Sequence, residues 1–599
     1  MPAKRTSPRA GETARMQRTI VTLAVAASFA AVAPMRHAIA APGASGWPHL
    51  AAQFVRESEQ HDPLFADQVG IHAYDDALAD LSPSGHAKRM AWLHGWRNRI
   101  VRADSRLSPG DHADAQALRD TIDLELFEDA TVKPAHTDPT YYTGVIGQAI
   151  YALVGCHYAP PDERLRHAAP RLRRIPAIVA AAEAMLGRPT HVGTLQAIDE
   201  NAGNIALYSA LPREAGSASP HTQAAIARAL PRALASLRAF STYLRTTVLP
   251  RSDRNPRVGA AVFDRELVLA DGTDRTRAQL VADAQADFAR NRAEMLQLAL
   301  PFDRRFFANR TADETRSDAV DVVVRRVLDR LAARHPSRTT IFATAKDDVE
   351  ASERFLAATP VVMLPVPATL AVVPTPDFMA GFAGASLDPA GPYTPLTESY
   401  FYIDKIPATW SAARVASYLR DFNDYEMKML SIHEAVPGHY VQFRYNDTVP
   451  SIVRRVLPSG SFAEGWAVYG EGMMLDAGYG GNDPALRLFQ LKWRLREEAN
   501  TIIDAAYHTG DLSEGRCDDL LERQAYQERS EALTKWHRLQ LSHDQLTSYF
   551  VGLDAIRRAE AEDRSKSRGA FDVARFNAAL LKMGSVEPRF IALLLSETP

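Results

Sequence analysis

Helical periodicity over most of the chain is the feature that most restricts its fold. Between about Trp47 and Val349, segments such as RLRRIPAIVAAAEAMLG and HTQAAIARALPRALASLRAFSTYLRTTV place apolar residues three and four positions apart. This is the spacing of a helix that buries one face. Strand patterns are nearly absent here, and helical patterning returns over residues 411–599, interrupted by GYGGNDP. We therefore predict a mainly α fold.

A different pattern occurs between about Thr359 and Trp410. The short β-prone runs VVMLPVP, TLAVVPTP and ESYFYI are separated by prolines, which confine such runs to edge strands or extended stretches. The sequence thus predicts one small β-sheet in a large helical scaffold. We expect one continuous unit with an N-terminal helical region at 41–350 and a catalytic region at 351–599, with the sheet in 351–410 and the zinc-site helices in 411–599.

The first forty residues are typical of a secretory signal peptide. Basic residues precede the apolar run TIVTLAVAASFAAVA, and small residues follow at Ala38 and Ala40, in the order of a cleavable signal. The apolar run is shorter than the roughly 20 residues that a membrane span needs. We expect residues 1–40, starting at Met1 or Met16, to be removed on export. The product would be periplasmic or secreted, without stable membrane insertion.

Charge and cysteine content exclude some classes of function. Lys plus Arg number 69 and Asp plus Glu 72, a formal net charge of -3, so nucleic acid is not generally attracted and we expect no such partner. The two cysteines, Cys156 and Cys517, are too far apart in sequence for a metal motif. Neither lies near the predicted cleavage position, where lipid attachment would need one. They form either one disulfide or two buried small side chains.

Three residue types that zinc hydrolases use occur together in SIHEAVPGHY, residues 431–440. The preceding segment has helical periodicity, but Pro437 would remove a hydrogen bond from its continuation and clash with an earlier carbonyl. On a regular helix, His433 and His439 would point about 120° apart and could not share a metal. A bulge or wide turn at Pro437-Gly438 would return them to one side. The alternative is a helix end with two exposed histidines.

The segment SFAEGWAVYGEG supplies a third ligand for such a metal. Glu464 and Glu471 lie seven residues apart and so share one helix face. A catalytic zinc has three protein ligands and one open position for water, and His433, His439 and Glu464 meet that number. Glu434 is then placed to take a proton from the water. Glu471 is expected to orient a histidine or to be a structural carboxylate. We therefore predict one Zn²⁺ ion.

Four ordered motifs extend this pattern over residues 431–552: HEAVPGHYVQ, FAEGWAVYGEG, NTIIDAAYHTG and QLTSYFVG. In this order they resemble the DUF885 family of bacterial, often exported, zinc hydrolases. The resemblance implies an all-helical metallopeptidase scaffold similar to the gluzincins, which include oligopeptidases and dipeptidyl carboxypeptidases. Those enzymes carry HExxH, whereas this chain has two more residues between its histidines. It also has Tyr440 where much of the family has a second histidine.

The resemblance implies roles for residues farther along the chain. In helical gluzincins a tyrosine and a histidine downstream of the zinc helix hydrogen-bond the tetrahedral intermediate, and His543 and Tyr549 in SHDQLTSYFVG are similar to these. His508, four residues after Asp504, is another candidate for contact with substrate or transition state. The alternative for each is ordinary hydrogen bonding on a helix surface or in the core.

The small sheet also acquires a role from the resemblance. Related peptidases bind extended substrates against a sheet edge beside the metal, and Tyr400, Tyr402 and Lys405 either line that surface or serve packing and solvation. We predict a zinc-dependent metallopeptidase that cleaves a peptide or peptide-like substrate with Glu434 as general base. The alternatives are a metal hydrolase of a non-peptide amide or ester, and an exported binding protein without catalytic activity.

Overall fold

α-Helices account for most of the computed structural model, which describes residues 46–103, 107–308, 319–365, 369–376, 384–394, 398–567 and 570–597. The mainly α fold with a small sheet is confirmed. Residues Gly46–Pro599 form one compact unit. The predicted signal peptide, residues 1–40, lies outside the described residues.

The helices before the sheet are α1 Trp47–His61, α2 Pro63–Val69, α3 Pro83–Ala103, α4 Pro109–Thr131, α5 Pro134–Thr137, α6 Thr140–Val154, α7 Pro161–Leu165, α8 Ala168–Met185, α9 His191–Glu214, α10 Pro220–Tyr243, α11 Ala260–Leu269, α12 Arg277–Phe306, α13 Ala319–Leu331 and α14 Ile341–Ala358. The helices after it are α15 Ala412–Asp421, α16 Asp424–Glu434, α17 His439–Asn446, α18 Ile452–Val456, α19 Gly460–Asp476, α20 Pro484–Thr509, α21 Glu514–Asp518, α22 Arg529–Leu541, α23 Ser548–Lys566, α24 Val573–Met583 and α25 Ile591–Glu597. Short 3₁₀ turns occupy His72–Tyr74, Ala215–Ser217, Leu249–Arg251, Tyr479–Asn482 and Pro588–Phe590, and π turns occupy Leu244–Val248 and Asp519–Gln524.

The sheet has three strands in the order β1-β3-β2, with β1 at Leu370–Pro374, β2 at Ala385–Asp388 and β3 at Ser399–Ile403. β3 runs parallel to β1 and antiparallel to β2. Pro374 is the last residue of the edge strand β1. At an edge, the missing N–H group of proline does not remove a hydrogen bond from the middle of the sheet. The central strand is the proline-free SYFYI.

The two faces of β3 contact different parts of the molecule. Phe401 and Ile403 belong to the apolar core that also contains Met427 and Ile432 of α16. Tyr400 and Tyr402 project to the opposite face, where they pack with Tyr151 of α6. A separate apolar core joins α6, α8, α9 and α10. The sheet therefore lies between the helix that carries His433 and the N-terminal helices.

Three details refine the predicted organisation. Helix α14 crosses residue 350 and continues to Ala358, so the helical region extends beyond the expected boundary. Cys156 and Cys517 are both free thiols, so the disulfide alternative does not apply. Among the described residues, every helix is too short or too polar to cross a bilayer.

Helices α19 and α23 approach each other through glycine. A Cβ on Gly465 would lie 2.2 Å from the backbone carbon of Gly552, and a Cβ on Gly552 would lie 1.7 Å from the carbonyl oxygen of Ser461. No side chain fits between these backbones. Glu464 directly precedes Gly465, and Tyr549 lies one turn before Gly552. The contact between the two glycines therefore sets the distance between Glu464 and Tyr549.

We predict that Gly465→Ala destabilises the fold. Overpacking a tight contact costs about 1–3 kcal/mol, and here the obstacle is backbone that cannot rotate away. The control is Gly472→Ala on the same helix, where the new Cβ would have only an ordinary 3.8 Å contact and would gain up to about 1 kcal/mol of helix propensity. Urea unfolding followed by circular dichroism should give a lower midpoint for Gly465→Ala alone. Equal midpoints for the two variants would contradict the close contact.

Candidate metal centre

Helix α16 holds His433 and Glu434 at its C-terminal end. The helix begins where the Asn423 side chain accepts hydrogen bonds from the backbone N–H groups of Tyr425 and Glu426, at 3.0 and 3.2 Å, as expected of an N-cap. His433 and Glu434 are both buried. The two candidate side chains thus lie at the C-terminal end of a well-capped helix.

The turn after α16 brings the chain back toward the side of α16 on which His433 lies. The Gly438 N–H donates a 2.9 Å hydrogen bond to the carbonyl of Ile432, and Trp466 Nε1 donates a 2.8 Å bond to the carbonyl of Pro437. The Val436–Pro437 peptide bond is cis. A Cβ on Gly438 would lie 1.9 Å from the His433 carbonyl oxygen, so only glycine allows this approach.

His439 begins α17 directly after this turn and faces His433. The centroids of the two imidazole rings are 4.8 Å apart, and their planes are nearly perpendicular at 87°. The predicted helix break is present, and the two histidines, six residues apart, converge. The alternative of two exposed histidines is wrong, because both side chains are buried.

Glu464 of α19 completes the group. Its Oε2 lies 3.4 Å from His433 Nε2 and 3.4 Å from His439 Nε2. This buried oxygen has no hydrogen-bond partner among the described residues. The three ligand atoms lie within 4.8 Å of one another. Two imidazole nitrogens and a carboxylate oxygen are a donor set that suits Zn²⁺, so the residues fit the predicted ion.

Glu471 lies behind His433, two helical turns after Glu464 on α19. It is fully buried, and its Oε1 is 2.9 Å from His433 Nδ1. A proton on Nδ1 would leave the Nε2 lone pair directed toward Glu464, the arrangement found where a carboxylate orients a metal-binding histidine. Glu471 therefore has the geometry of an orienting residue.

Charges within the group shift its pKa values. Burial alone would lower the pKa of His433, but the adjacent carboxylates of Glu464 and Glu471 raise it well above its usual value. Burial alone would raise the pKa of Glu464, but the imidazoles of His439 and His433 hold it well below its usual range. A negative carboxylate therefore faces two basic nitrogens, and a cation among them would be strongly stabilised.

Tyr549 of α23 lies beside His433. Its ring is nearly parallel to that of His433, with centroids 6.3 Å apart. Burial, and then the nearby charge of Glu464, raise the pKa of Tyr549 above its ordinary value. The phenol therefore keeps its proton and can donate a hydrogen bond close to the three candidate ligands.

His508 and His543 lie together in a second cluster. Their ring centroids are 6.0 Å apart. His508 Nε2 is 3.0 Å from the carbonyl of Ser542, and His543 Nδ1 is 2.7 Å from Glu266 Oε2. Asp504 Oδ1 is 3.6 Å from His508 Nε2. These contacts are to protein groups outside the three candidate ligands, and the predicted catalytic role of both histidines stays a prediction.

The predicted sheet residues divide between packing and solvent. Tyr400 and Tyr402 are buried, and their hydroxyls bond His157 Nδ1 at 2.9 Å and Tyr151, respectively. Lys405 is exposed just beyond the end of β3. The two tyrosines therefore serve packing between the sheet and the N-terminal region.

Sequence reasoning missed the support that α20 gives to α16. Glu426 accepts a 2.6 Å hydrogen bond from Lys492 Nζ and another from Trp493 Nε1. The Trp493 ring lies 5.7 Å from the ring of His433. The available signal was the spacing of Glu426 and His433, which are seven residues apart and share one helix face. The pairing with LKWRLREE could not be found without the fold.

The fold and the three converging side chains define a mainly helical protein with a candidate metal centre. The model of the family DUF885, described as "Bacterial protein of unknown function", matches residues 63–593, and the chain belongs to this family. The predicted family is thereby confirmed, whereas zinc hydrolase activity stays a prediction. None of the curated proteins matches the sequence.

Solved structures share this architecture. A "putative lipoprotein of unknown function" from Shewanella oneidensis is similar with a TM-score of 0.77 and 27% identity, over 92% of this chain and 100% of that one. A "putative lipoprotein" from Colwellia psychrerythraea is similar with a TM-score of 0.74 and 14% identity, over 92% and 99% of the two chains. The latter likeness concerns the fold alone.

We predict that Gly438→Ala weakens zinc binding. The added methyl group would collide with the end of α16 and displace His439 from His433. Bound zinc, measured by plasma mass spectrometry after dialysis, should fall toward the value for His439→Ala. Gly470→Ala is the control, because its Cβ would have only a 3.8 Å contact with Pro437. Full zinc occupancy in Gly438→Ala would contradict the role of this turn.

Proposed function

We propose that this protein is a zinc-dependent hydrolase that cleaves peptides. The observation that carries the proposal is the convergence of His433, His439 and Glu464, with Glu434 next to the first histidine and Tyr549 stacked beside it. Three protein ligands leave the open position that distinguishes a catalytic zinc from a structural one. Family membership and fold are compatible with this function, and the proposal rests on the side chains.

The three candidate ligands would hold the metal, and Glu471 would keep His433 in the correct orientation. A bound zinc ion supplies Lewis acidity toward a carbonyl and lowers the pKa of a water molecule. Glu434 is buried and follows His433 directly, so its carboxylate would lie next to the candidate ligands, where it could exchange a proton with the attacking water.

Glu434 would act first as a base and then as an acid. Its carboxylate removes a proton from water as the water oxygen bonds to the carbonyl carbon. The same proton then passes to the nitrogen of the leaving amine as the C–N bond breaks. The Tyr549 phenol would donate a hydrogen bond to the oxygen on which negative charge develops. The products are a carboxylic acid and an amine.

The same side chains could act on a different acyl group. Non-peptide amides and esters pass through the same charged intermediate, so the site chemistry alone permits them. Incubation of the zinc-loaded protein with libraries of peptides, simple amides and esters, followed by mass spectrometry, would separate these substrates. Turnover of esters or simple amides without any peptide cleavage would replace the peptidase proposal.

We also propose that the protein is exported to the cell envelope. The related structure from Shewanella oneidensis, which is 27% identical, is described as a putative lipoprotein of unknown function, and residues 1–40 have the order of a signal peptide. Fractionation of cells that produce the protein, with N-terminal sequencing, would test this. Recovery of the uncleaved chain from the cytoplasm alone would contradict it.

We predict that Glu434→Gln retains zinc but loses activity. The amide cannot accept the proton from water, so the rate of peptide cleavage should fall by about 10²-fold or more, while zinc remains stoichiometric. The matched control is Glu350→Gln, which removes an exposed carboxylate that pairs with Arg354 at 3.5 Å on the solvent side of α14. Peptide cleavage by Glu434→Gln at the unaltered rate would refute the assigned base.

Tyr549→Phe should lower kcat without loss of zinc. Removal of one donor to a developing oxyanion costs about 10²–10³ in kcat, whereas the aromatic ring that packs beside His433 is retained. Tyr445→Phe is the control, because its hydroxyl instead donates to the carbonyl of Met363 at 2.9 Å. A change in KM alone for Tyr549→Phe would place the phenol in substrate binding.

A further inference from the structure

A cavity of about 180 Å³ lies between α2, α6 and the edge strand β2. It is much larger than the roughly 10–15 Å³ that one water needs, and smaller than the roughly 300–1,000 Å³ of pockets for drug-sized ligands. A ligand for it would be about the size of an amino-acid side chain. Tyr400 contributes to its wall, so it lies on the face of the sheet opposite the core shared with α16.

The wall of this cavity is acidic and aromatic. The carboxylates of Asp67, Asp388 and Glu398 line it together with the phenols of Tyr158 and Tyr400. No lysine or arginine is among the described residues of the lining. The described side chains of the lining therefore offer acidic groups and no basic side chain of lysine or arginine to a ligand, which favours a cation.

Two residues of this wall, Asp67 and His72, each have a buried polar atom without a hydrogen-bond partner among the described residues, namely Asp67 Oδ1 and His72 Nε2. The Asp67 side chain is only 8% exposed, and its other oxygen, Oδ2, accepts a 2.7 Å bond from Arg171. His72 Nδ1 lies 3.3 Å from Asp75 Oδ1. Since a carboxylate only accepts, Nδ1 carries the proton in this contact, and Nε2 of the neutral imidazole is then an acceptor. Leaving such groups unpaired costs about 1–3 kcal/mol each.

The carboxylates in and beside the cavity outnumber the cationic side chains that contact them. Arg171 is shared between Asp67 and Asp75, at 2.7 and 4.0 Å. The hydrogen bond described for Asp388 comes from the Tyr402 hydroxyl at 3.4 Å. Burial raises the pKa of Asp67 to about 8 and that of Asp388 to about 6. Both shifts are in the direction that a bound cation would reverse.

We propose that this cavity binds a primary ammonium group, carried either by a small free amine or by a peptide. An ammonium has three N–H donors, and Asp67 Oδ1 and His72 Nε2 would accept two of them. The rings of Tyr158 and Tyr400 suit a desolvated cation. This site is separate from the zinc group and does not depend on the proposed hydrolase activity.

A divalent metal is less suited to this position than an ammonium. Asp67, His72 and Asp75 do bring ligand atoms within 4.8 Å of one another. However, the buried Arg171 guanidinium contacts one of these carboxylates and lies 4.0 Å from the other. His72 already uses Nδ1 for Asp75, and its ring stacks on Tyr158 at 3.4 Å. The fixed positive charge disfavours a second, doubly charged cation.

The test is calorimetric titration of n-butylammonium chloride into the zinc-loaded Glu434→Gln protein, in which turnover cannot interfere. The amine should bind with one site, and n-butanol, its uncharged analogue, should not. His72→Phe keeps the stacked ring and removes the acceptor, and Asp388→Asn removes a charge without touching Arg171. Each should weaken binding at least tenfold. Asp76→Asn is the matched control, since Asp76 is 67% exposed and outside the cavity.

The source of the amino group is distinguished by competition. Displacement of n-butylammonium by trialanine but not by N-acetyltrialanine would assign the site to peptide amino groups, and displacement by neither would assign it to free amines. No binding of n-butylammonium would overturn the proposal. Equal binding to the Glu434→Gln protein with and without the two cavity substitutions would overturn it as well. So would a second equivalent of zinc that is lost in His72→Phe.

Discussion

The candidate centre depends on the approach of Gly438 to the carbonyl end of α16. A helix that stops at Glu434 exposes acceptors that must be satisfied, and the Gly438 N–H satisfies one of them at Ile432. The same hydrogen bond reverses the direction of the chain, so that His439 starts α17 opposite His433. The two residues that this chain has in addition to the HExxH spacing form part of this turn, and the two histidines therefore lie close together, as they would on an uninterrupted helix.

The rest of the scaffold supports this geometry from two sides. Helix α20 holds α16 through Lys492 and Trp493, both bonded to Glu426. Helix α19 brings Glu464 to the histidines and Glu471 behind His433. Charged side chains buried in this way are costly unless paired, and here Glu426 is paired with Lys492 and Glu471 with His433. These polar contacts join α16 to both α19 and α20.

Much of this could be predicted from the sequence, because the relevant signals are local. Helical spacing indicates the fold class, and Pro437-Gly438 indicates a break in the helix. By contrast β2, the segment ASLD, escaped prediction because an alternation of two apolar and two polar residues is too short to indicate a strand. The cluster of His508 and His543 also escaped, because its partner Glu266 is more than two hundred residues away in the chain. Only the packed fold brings such residues together.

The glycine contact between α19 and α23 has a consequence for how this family can diverge. Neither Gly465 nor Gly552 has a functional group, yet a side chain on either one would separate the helices that carry Glu464 and Tyr549. A mutation at either glycine would leave Glu464 and Tyr549 in the sequence but would move them apart, so that they could no longer act on the same substrate. A side chain at either position fits only if the two helices move apart, so a change at Gly465 and a change at Gly552 would have the same effect on the separation of Glu464 and Tyr549.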